Sequence, residues 1–353
     1  DKGEIYLNPS NDRVHLAQKK IKKNHHFKYI KKIHQLPAIT KDHHTIDLYL
    51  NGGGHYDLKH LEDVSVKGIG LYRTEIPFMM QKTFPNITYQ ERLYQDIYNE
   101  TTKPVTFRTI DVGGDKVLPY QKHQREDNPA MGWRAIRISL DRPAFLKEQL
   151  RALIRASQGR DLSIMFPMIT HVQEFTRVKT IFNRELEREK NKGTQSPLSI
   201  SLGAMVEVPS LVWSLDDLLK ECDFISVGTN DLFQFFYAVD RSNSLVNDTY
   251  DVLSKPFLEC LAYICQRCHY YQKPVSVCGE MASHPLEAMV LLALGFTSLS
   301  VNSGCLLDIK TMIRALHLKH MQAFFHDIMT RSPFRIREAL GAFAHDHAIP
   351  IKS

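Results

Sequence analysis

Apolar residues in this chain cluster into eight short runs separated by stretches long enough for a helix. The runs begin near Ile46, Gly68, Val105, Leu162, Ile200, Phe224, Val275 and Phe296. Several are apolar almost throughout, the pattern of parallel strands buried on both faces. Val275–Cys278 is short and is read as a strand mainly because the period places one there. Between the runs, 3.6-residue periodicity predicts helices over Ile87–Asn99, Ala144–Ser157, Val172–Lys190, Leu211–Lys220, Val252–Tyr271 and Leu286–Leu294. A helical region over Leu306–Met329 closes the repeat, and the tail from Ser332 also reads as helical. Eight alternations predict an α/β fold, a (β/α)₈ TIM barrel, with an N-terminal helical linker.

Polar residues end each run. They are Asn51; Arg73 with Glu75; Arg108 with Asp111; Pro167–Met168; Glu207; Asn230 with Asp231; Cys278 with Glu280; and Asn302. Chemistry gathered at C-terminal strand ends is where such a barrel builds its active site, because the βα loops converge there.

The 353 residues suit one barrel, commonly ~250 residues, plus an attachment. No apolar run approaches the ~18 residues of a membrane span, and no signal peptide opens the chain, so a cytoplasmic protein is expected, with no membrane or nucleic-acid partner. The six scattered cysteines fit reduced thiols there. Much of the net charge of +6 sits in Gln18–His34, where Ile21, Phe27, Ile30 and Ile33 make an amphipathic basic helix, read as a linker packed on the barrel. Asp1 in place of Met suggests a processed or excised piece, and residues 1 to about 16 read as a strand stopped by Asn8-Pro9-Ser10.

The residue types suggest a phosphorylated anion held through a metal. Arg73 and Arg108 end neighbouring strands, and a glycine loop carrying Lys116 follows the second. Arginine forks and glycine-exposed N–H groups suit phosphate; the competing reading is a loop-tying ion pair such as Arg108 with Asp111. Glu207 and Asp231 end adjacent strands and can share a divalent cation, Mg²⁺ keeping its remaining positions for water and substrate oxygens. Asp231 can equally cap the helix that follows it, and Arg241 can reach back toward the same anion. Cys278, with an ordinary thiol pKa of ~8.5, is mostly protonated at neutral pH and suits a general acid better than a nucleophile. Two patterns are set aside. Cys265-Gln-Arg-Cys268-His269 matches haem attachment but lies in a helical pattern, and Asn51-Gly-Gly-Gly-His55 lacks the spacing of a phosphate loop.

Six ordered motifs then carry a resemblance. Gly68–Glu75, Asp111–Lys116, Asn128–Arg134, Met205–Pro209, Gly228–Asp231 and Cys278–Glu280 resemble the phosphoenolpyruvate (PEP)-binding barrel of the PEP-utilising enzymes, and specifically Enzyme I, the PEP–protein phosphotransferases. Tyr72, Ile76–Met79, Val208–Ser210 and Phe224–Val227 are closer to the nitrogen-type Enzyme I. The resemblance implies that Arg73 and Arg108 hold the phosphate, that Glu207 and Asp231 bind Mg²⁺, and that Asn230 and Arg241 contact substrate. Cys278 would protonate the departing enolate, with Arg134 and Lys116 at further positions of the pocket. It also implies PEP and pyruvate as ligands, a phosphocarrier protein as partner, and a homodimer, for which Met312, Leu316 and Phe324-Phe325 look like surplus apolar side chains.

The family accepts the phosphoryl group on a histidine in a Gly-Gly-x-Thr-Ser-His-type motif, which this sequence lacks. Residues 1–36 are therefore expected to be the end of the swivelling phosphohistidine domain plus the basic linker, and 37–353 the barrel and dimerisation region. A chain without the acceptor is expected to bind PEP without keeping a phosphoryl group. Near the eighth strand, Asn302-Ser-Gly-Cys305 follows the family pattern only loosely. The competing identities are the matching barrel of pyruvate phosphate dikinase or PEP synthase and, from another class, a non-catalytic dimerisation or docking module.

Overall fold

The computed structural model describes residues 10, 33, 35–54, 61, 64–113, 126–241, 243, 245, 246, 249–331 and 335–351. The N-terminal strand and most of the basic stretch 18–34 lie outside the described residues, as does Lys116.

The chain alternates strand and helix. In order these are β1 (Asp47–Gly52), β2 (Gly68–Arg73), α1 (Glu75–Met79), α2 (Ile87–Glu100), β3 (Val105–Arg108), α3 (Ile136–Asp141), α4 (Pro143–Ala156), β4 (Asp161–Phe166), α5 (Val172–Lys190) and β5 (Ser199–Val206). There follow α6 (Pro209–Val212), α7 (Leu215–Glu221), β6 (Phe224–Val227), α8 (Thr229–Tyr237), α9 (Lys255–Tyr270), β7 (Val275–Val277), α10 (Pro285–Ala293), β8 (Ser298–Asn302), α11 (Leu306–Ala315), α12 (Leu318–Arg331) and α13 (Ile336–Asp346). The strands pair in parallel in chain order, and β8 closes onto β1, giving the predicted (β/α)₈ barrel.

Periodicity places the long helices to within a few residues. It merges others. The expected Leu211–Lys220 helix is two, broken at Trp213–Ser214. The expected Leu306–Met329 helix breaks at Leu316–His317, where the Asp42 carboxylate accepts the backbone N–H groups of Leu318 and Lys319 and so starts α12. The second break is made by a long-range contact that hydropathy does not report. The eighth strand starts at Ser298, two residues after Phe296, which is buried.

Two apolar layers result. The larger packs the outer faces of the strands against the helices, with Phe107 meeting Tyr72, Tyr94 and Tyr98 edge-on or tilted at 5.3–5.8 Å. The smaller joins Leu71, Met165 and Met205 from three strands with Cys278 just after β7, and Phe224 beside it. The apolar side chains read as surplus for dimerisation are not surplus. Met312, Leu316 and Phe325 are buried in this chain's own core, and Phe324 stacks on Phe343 at 4.5 Å. They serve to pack α11, α12 and α13 onto the barrel.

Glycine is required where β2 begins. A Cβ on Gly68 would lie 2.2 Å from the Pro104 carbonyl oxygen, a backbone atom that cannot step aside. Gly68→Ala is therefore expected to cost about 1–3 kcal/mol, the usual range for overpacking, read as a lower urea midpoint with unchanged slope.

Candidate active site

A cavity of about 180 Å³ opens at the C-terminal ends of the strands. Of the residues expected there, Arg73, Arg108, Glu207, Asn230, Asp231, Arg241 and Cys278 all line it. Arg134 is not among the lining residues. It lies buried behind the wall, where its Nη2 donates to Asp111 Oδ1 at 3.0 Å and to Asp231 Oδ2 at 3.3 Å.

The two strand-end arginines differ sharply. Arg108, at the tip of β3, is buried and ion-paired with Glu75 and with Asp111, whose Oδ2 lies 3.3 Å from Nη1. Burial alone would weaken its charge, but Glu75 and Asp111 more than offset that and raise its pKa. The loop-tying ion pair is thus real, and Arg108 lines the cavity as well. Arg73, at the tip of β2, has no ion pair among the described residues, and its Nε is buried without a hydrogen-bond partner. Buried donors are rarely left unbonded. The Arg108 Nε is unpartnered too, so both arginines bring an unbonded donor to the wall of a cavity that an oxyanion would fit, and what separates them is the ion pairing.

Packing fixes the β3 tip. Gln149 on α4 is fully buried; its Oε1 accepts from the Ile110 N–H at 2.9 Å, and its Nε2 donates to Thr74 Oγ1 at 3.0 Å. Thr74 in turn donates to the Arg108 carbonyl at 2.8 Å. These bonds hold the turns after β2 and β3 in one register.

Glu207 follows β5, and its Oε1 accepts the Met168 N–H at 2.6 Å. Burial first, then repulsion from Asp231 and Asp111, pushes its pKa far above the carboxylate range, against the pull of Arg108 and Arg134. Asp231 lies in the first turn of α8; Gly228 holds the capping position and no side chain caps the helix, so Asp231 is not its cap. A Cβ on Gly228 would come within 2.8 Å of Glu207 Oε2, so glycine there makes room for the carboxylate.

This arrangement fits a divalent cation. Arg73, Arg108, Arg134 and Arg241 face Glu75, Asp111, Glu207 and Asp231, so a phosphate entering alone meets carboxylates that already match the arginines. A cation between Glu207 and Asp231 replaces their repulsion with attraction. Among the described residues no three His, Cys, Asp or Glu groups converge as a metal cage. Such an ion would then need water or substrate oxygens to complete its shell, the habit of Mg²⁺.

Cys278 follows β7 with its Sγ 3.5 Å from the Val227 carbonyl. Burial pushes its thiol up to about 11, with a Ser226 hydrogen bond opposing. It is a proton carrier at neutral pH, set in the apolar floor of Leu71 and Met205. Asn230 and Glu280 bond reciprocally, Asn230 Nδ2 to Glu280 Oε1 at 2.9 Å and the Glu280 N–H to Asn230 Oδ1 at 2.8 Å.

Three residues marked in the sequence by their strand-end positions take on roles in the structure. Asn51 donates to the carbonyls of Cys278 and Ser300, each at 3.2 Å, tying β1 to β7 and β8 beneath the thiol. Asp111 joins two arginines. Met168 contributes a backbone N–H from a left-handed conformation, φ 56°. Their strand-end positions marked Asn51, Asp111 and Met168 alike, but nothing in the sequence signals that Met168 acts through its backbone N–H.

A closed barrel whose mouth joins a free arginine, paired carboxylates and a protonated thiol defines a class, the anion-handling (β/α)₈ barrels. Comparison with known proteins narrows it further. Residues 28–318 match the family model described as PEP-utilising enzyme, PEP-binding domain, and the chain belongs to the PEP-utilising enzymes. It is 37% identical over 314 residues to the phosphoenolpyruvate-protein phosphotransferase of Buchnera aphidicola subsp. Schizaphis graminum, covering 88% of this chain and 55% of that one. It is 36% identical over 324 residues to the protein of the same name from Staphylococcus carnosus, covering 91% and 56%. With the Escherichia coli (strain K12) protein named phosphoenolpyruvate-dependent phosphotransferase system it shares 41% identity over 286 residues, covering 80% and 38%. The chain spans about half the length, or less, of these curated relatives.

The repulsion on Glu207 has a measurable sign. Its folded pKa is raised, so the stability tied to the neutral carboxyl is present below its unfolded pKa and is lost as pH rises through the folded value. Glu207→Gln keeps an acceptor for Met168 and removes that loss. In EDTA its melting temperature should match the wild type near pH 4.5 and exceed it increasingly toward pH 8, by an amount on the order of 1 kcal/mol or more. Adding Mg²⁺ should raise the wild type and not the variant. A variant less stable at every pH would contradict the repulsion.

Proposed function

We propose that this barrel binds phosphoenolpyruvate together with Mg²⁺ and supports transfer of its phosphoryl group to a histidine on another domain, releasing pyruvate. The observation that carries the reading is Arg73, free of ion pairs among the described residues and with a buried unpartnered Nε, in the same cavity as Glu207, Asp231 and Cys278. The names of the relatives support it. The finer assignment to nitrogen-type members rests on Tyr72, Ile76–Met79, Val208–Ser210 and Phe224–Val227. A phosphocarrier protein as the next acceptor, a homodimer and a cytoplasmic location belong to the same reading; no described helix is long and apolar enough to cross a membrane.

In this mechanism Arg73 and Arg108 hold the phosphate, and Asn230 and Arg241 take the remaining polar groups of the substrate. Arg134 acts from behind, holding Asp111 and Asp231 in place. Lys116, on the glycine loop, is expected to add a further cation. Mg²⁺ held by Glu207 and Asp231 would supply charge that offsets the phosphate and the developing enolate. The bond between phosphorus and the enol oxygen breaks, the phosphoryl group passes to an imidazole nitrogen, and an enolate remains. Cys278 then gives its Sγ proton to the methylene carbon, forming the methyl group of pyruvate. Positive charge fixed around the enolate oxygen lowers the barrier without reorganisation.

Calorimetry tests binding. PEP should bind with Mg²⁺ and lose most of its affinity in EDTA. Arg73→Ala should weaken it about tenfold or more, since a charge-assisted hydrogen bond contributes ~1.5–3 kcal/mol. Arg73 is the better probe, because removing Arg108 strands two buried carboxylates and costs ~3–5 kcal/mol of fold stability. Tight binding indifferent to both EDTA and Arg73→Ala would defeat the reading.

Cys278→Ser should leave PEP binding nearly intact and slow pyruvate formation, because a hydroxyl is a far weaker acid than a thiol. The assay needs the phosphoacceptor domain present. Equal rates of pyruvate release in both proteins would return Cys278 to a packing role.

A further inference from the structure

A second cavity, of about 430 Å³, lies on the outer helical layer where α3, α4 and α5 meet. None of its lining residues belongs to the barrel-mouth cavity. Its apolar wall is Leu140, Pro143 and Ile181, and its charged wall is Lys147, Arg177 and Arg184. Arg177 and Arg184 are two helical turns apart and so share one face of α5.

Several neighbouring cations on these helices are paired with carboxylates. Arg151 and Arg188 pair with Glu185, Arg155 with Glu189 and Glu91, and Lys179 with Glu221. Lys147, Arg177 and Arg184 have no carboxylate partner among the described residues. Glu185, which also lines the cavity, is already held by Arg151 and Arg188. Three uncompensated cations bordering one cavity repel one another, and an anion between them removes that cost.

The hydroxyls here face the other way electronically. Thr176 and Thr180 donate their protons to the backbone carbonyls of Gln173 and Thr176, at 3.1 and 2.8 Å. Their oxygens are left as acceptors, suited to hydroxyl donors on a ligand rather than to a phosphate.

We propose that this cavity binds a phosphorylated polyol such as a sugar phosphate. The phosphate sits among Arg177, Arg184 and Lys147, its hydroxyls donate to Thr176 and Thr180, and its carbon skeleton lies against Leu140, Pro143 and Ile181. Two guanidinium forks and an ammonium suit a dianionic phosphate. The volume falls in the ~300–1,000 Å³ range of small-ligand sites, and its concave shape favours a small molecule over a macromolecular face.

The test is titration of this chain with ribose 5-phosphate in EDTA at fixed ionic strength, followed by calorimetry or ligand-observed NMR, with ribose and inorganic phosphate as controls. Saturable binding is expected, weakened roughly tenfold or more in Arg177→Ala/Arg184→Ala and separately reduced in Lys147→Ala. Arg73→Ala should leave it unchanged, which separates this cavity from the barrel mouth. The substituted arginines are exposed, so thermal melts of the variants should match the wild type. No saturable binding would overturn the proposal, as would binding lost in Arg73→Ala but kept in the double variant. Inorganic phosphate binding as tightly as the sugar phosphate would overturn the ligand class.

Discussion

A chain of alternating buried charges runs across the strand tips, and the site depends on it. Glu75 holds Arg108, Arg108 holds Asp111, Asp111 holds Arg134, and Arg134 reaches Asp231. Each member is almost wholly removed from water, so each ion is tolerable only because its neighbours satisfy it. The chain joins α1, the turns after β3 and the first turn of α8, segments far apart in sequence. Apolar side chains of the same volume would serve stability as well or better. What the ions provide is position, with carboxylates and guanidiniums fixed around a cavity before anything enters it.

The network also explains why Arg73 stands apart. Arg108 and Arg134 give terminal guanidinium nitrogens to carboxylates, which keeps both in place, though the Arg108 Nε is left without a partner. Arg73 has no such obligation among the described residues. Glu207 is the complementary case, a carboxylate with too much negative charge around it. A cation at one end of the cavity and an oxyanion at the other would settle both imbalances. Beneath them the apolar floor keeps Cys278 protonated, so one short reach of barrel interior holds charge and a reserve proton together.

Two of the six positive-φ non-glycine residues among the described residues lie at the same place. Met168 and Ala135 both hold positive φ, 56° and 50°, which costs side-chain-bearing residues energy. Each is held by a hydrogen bond from its own N–H, Met168 to Glu207 and Ala135 to the Val112 carbonyl at 2.9 Å. Met168 thereby aims its N–H at Glu207, and Ala135 turns the chain immediately after Arg134.

The barrel was legible in the sequence because buried parallel strands and amphipathic helices write their periods directly into hydropathy, and eight alternations leave few other folds. The residues at strand ends were legible for the same reason, since a strand's C-terminal end in such a barrel faces one common mouth. Nine of the residues picked out that way line one cavity. Tertiary structure decided the rest. The Asp42 contact that splits the last long helix and the burial of Met312, Leu316 and Phe325 are long-range facts with no local signature. So is the difference between two arginines with the same sequence signature, Arg108 locked in ion pairs and Arg73 left open. Residue type states which charges a chain carries. Only the folded arrangement sets the distances between them, and at these separations distance decides which charge is spent on the protein and which remains for a ligand.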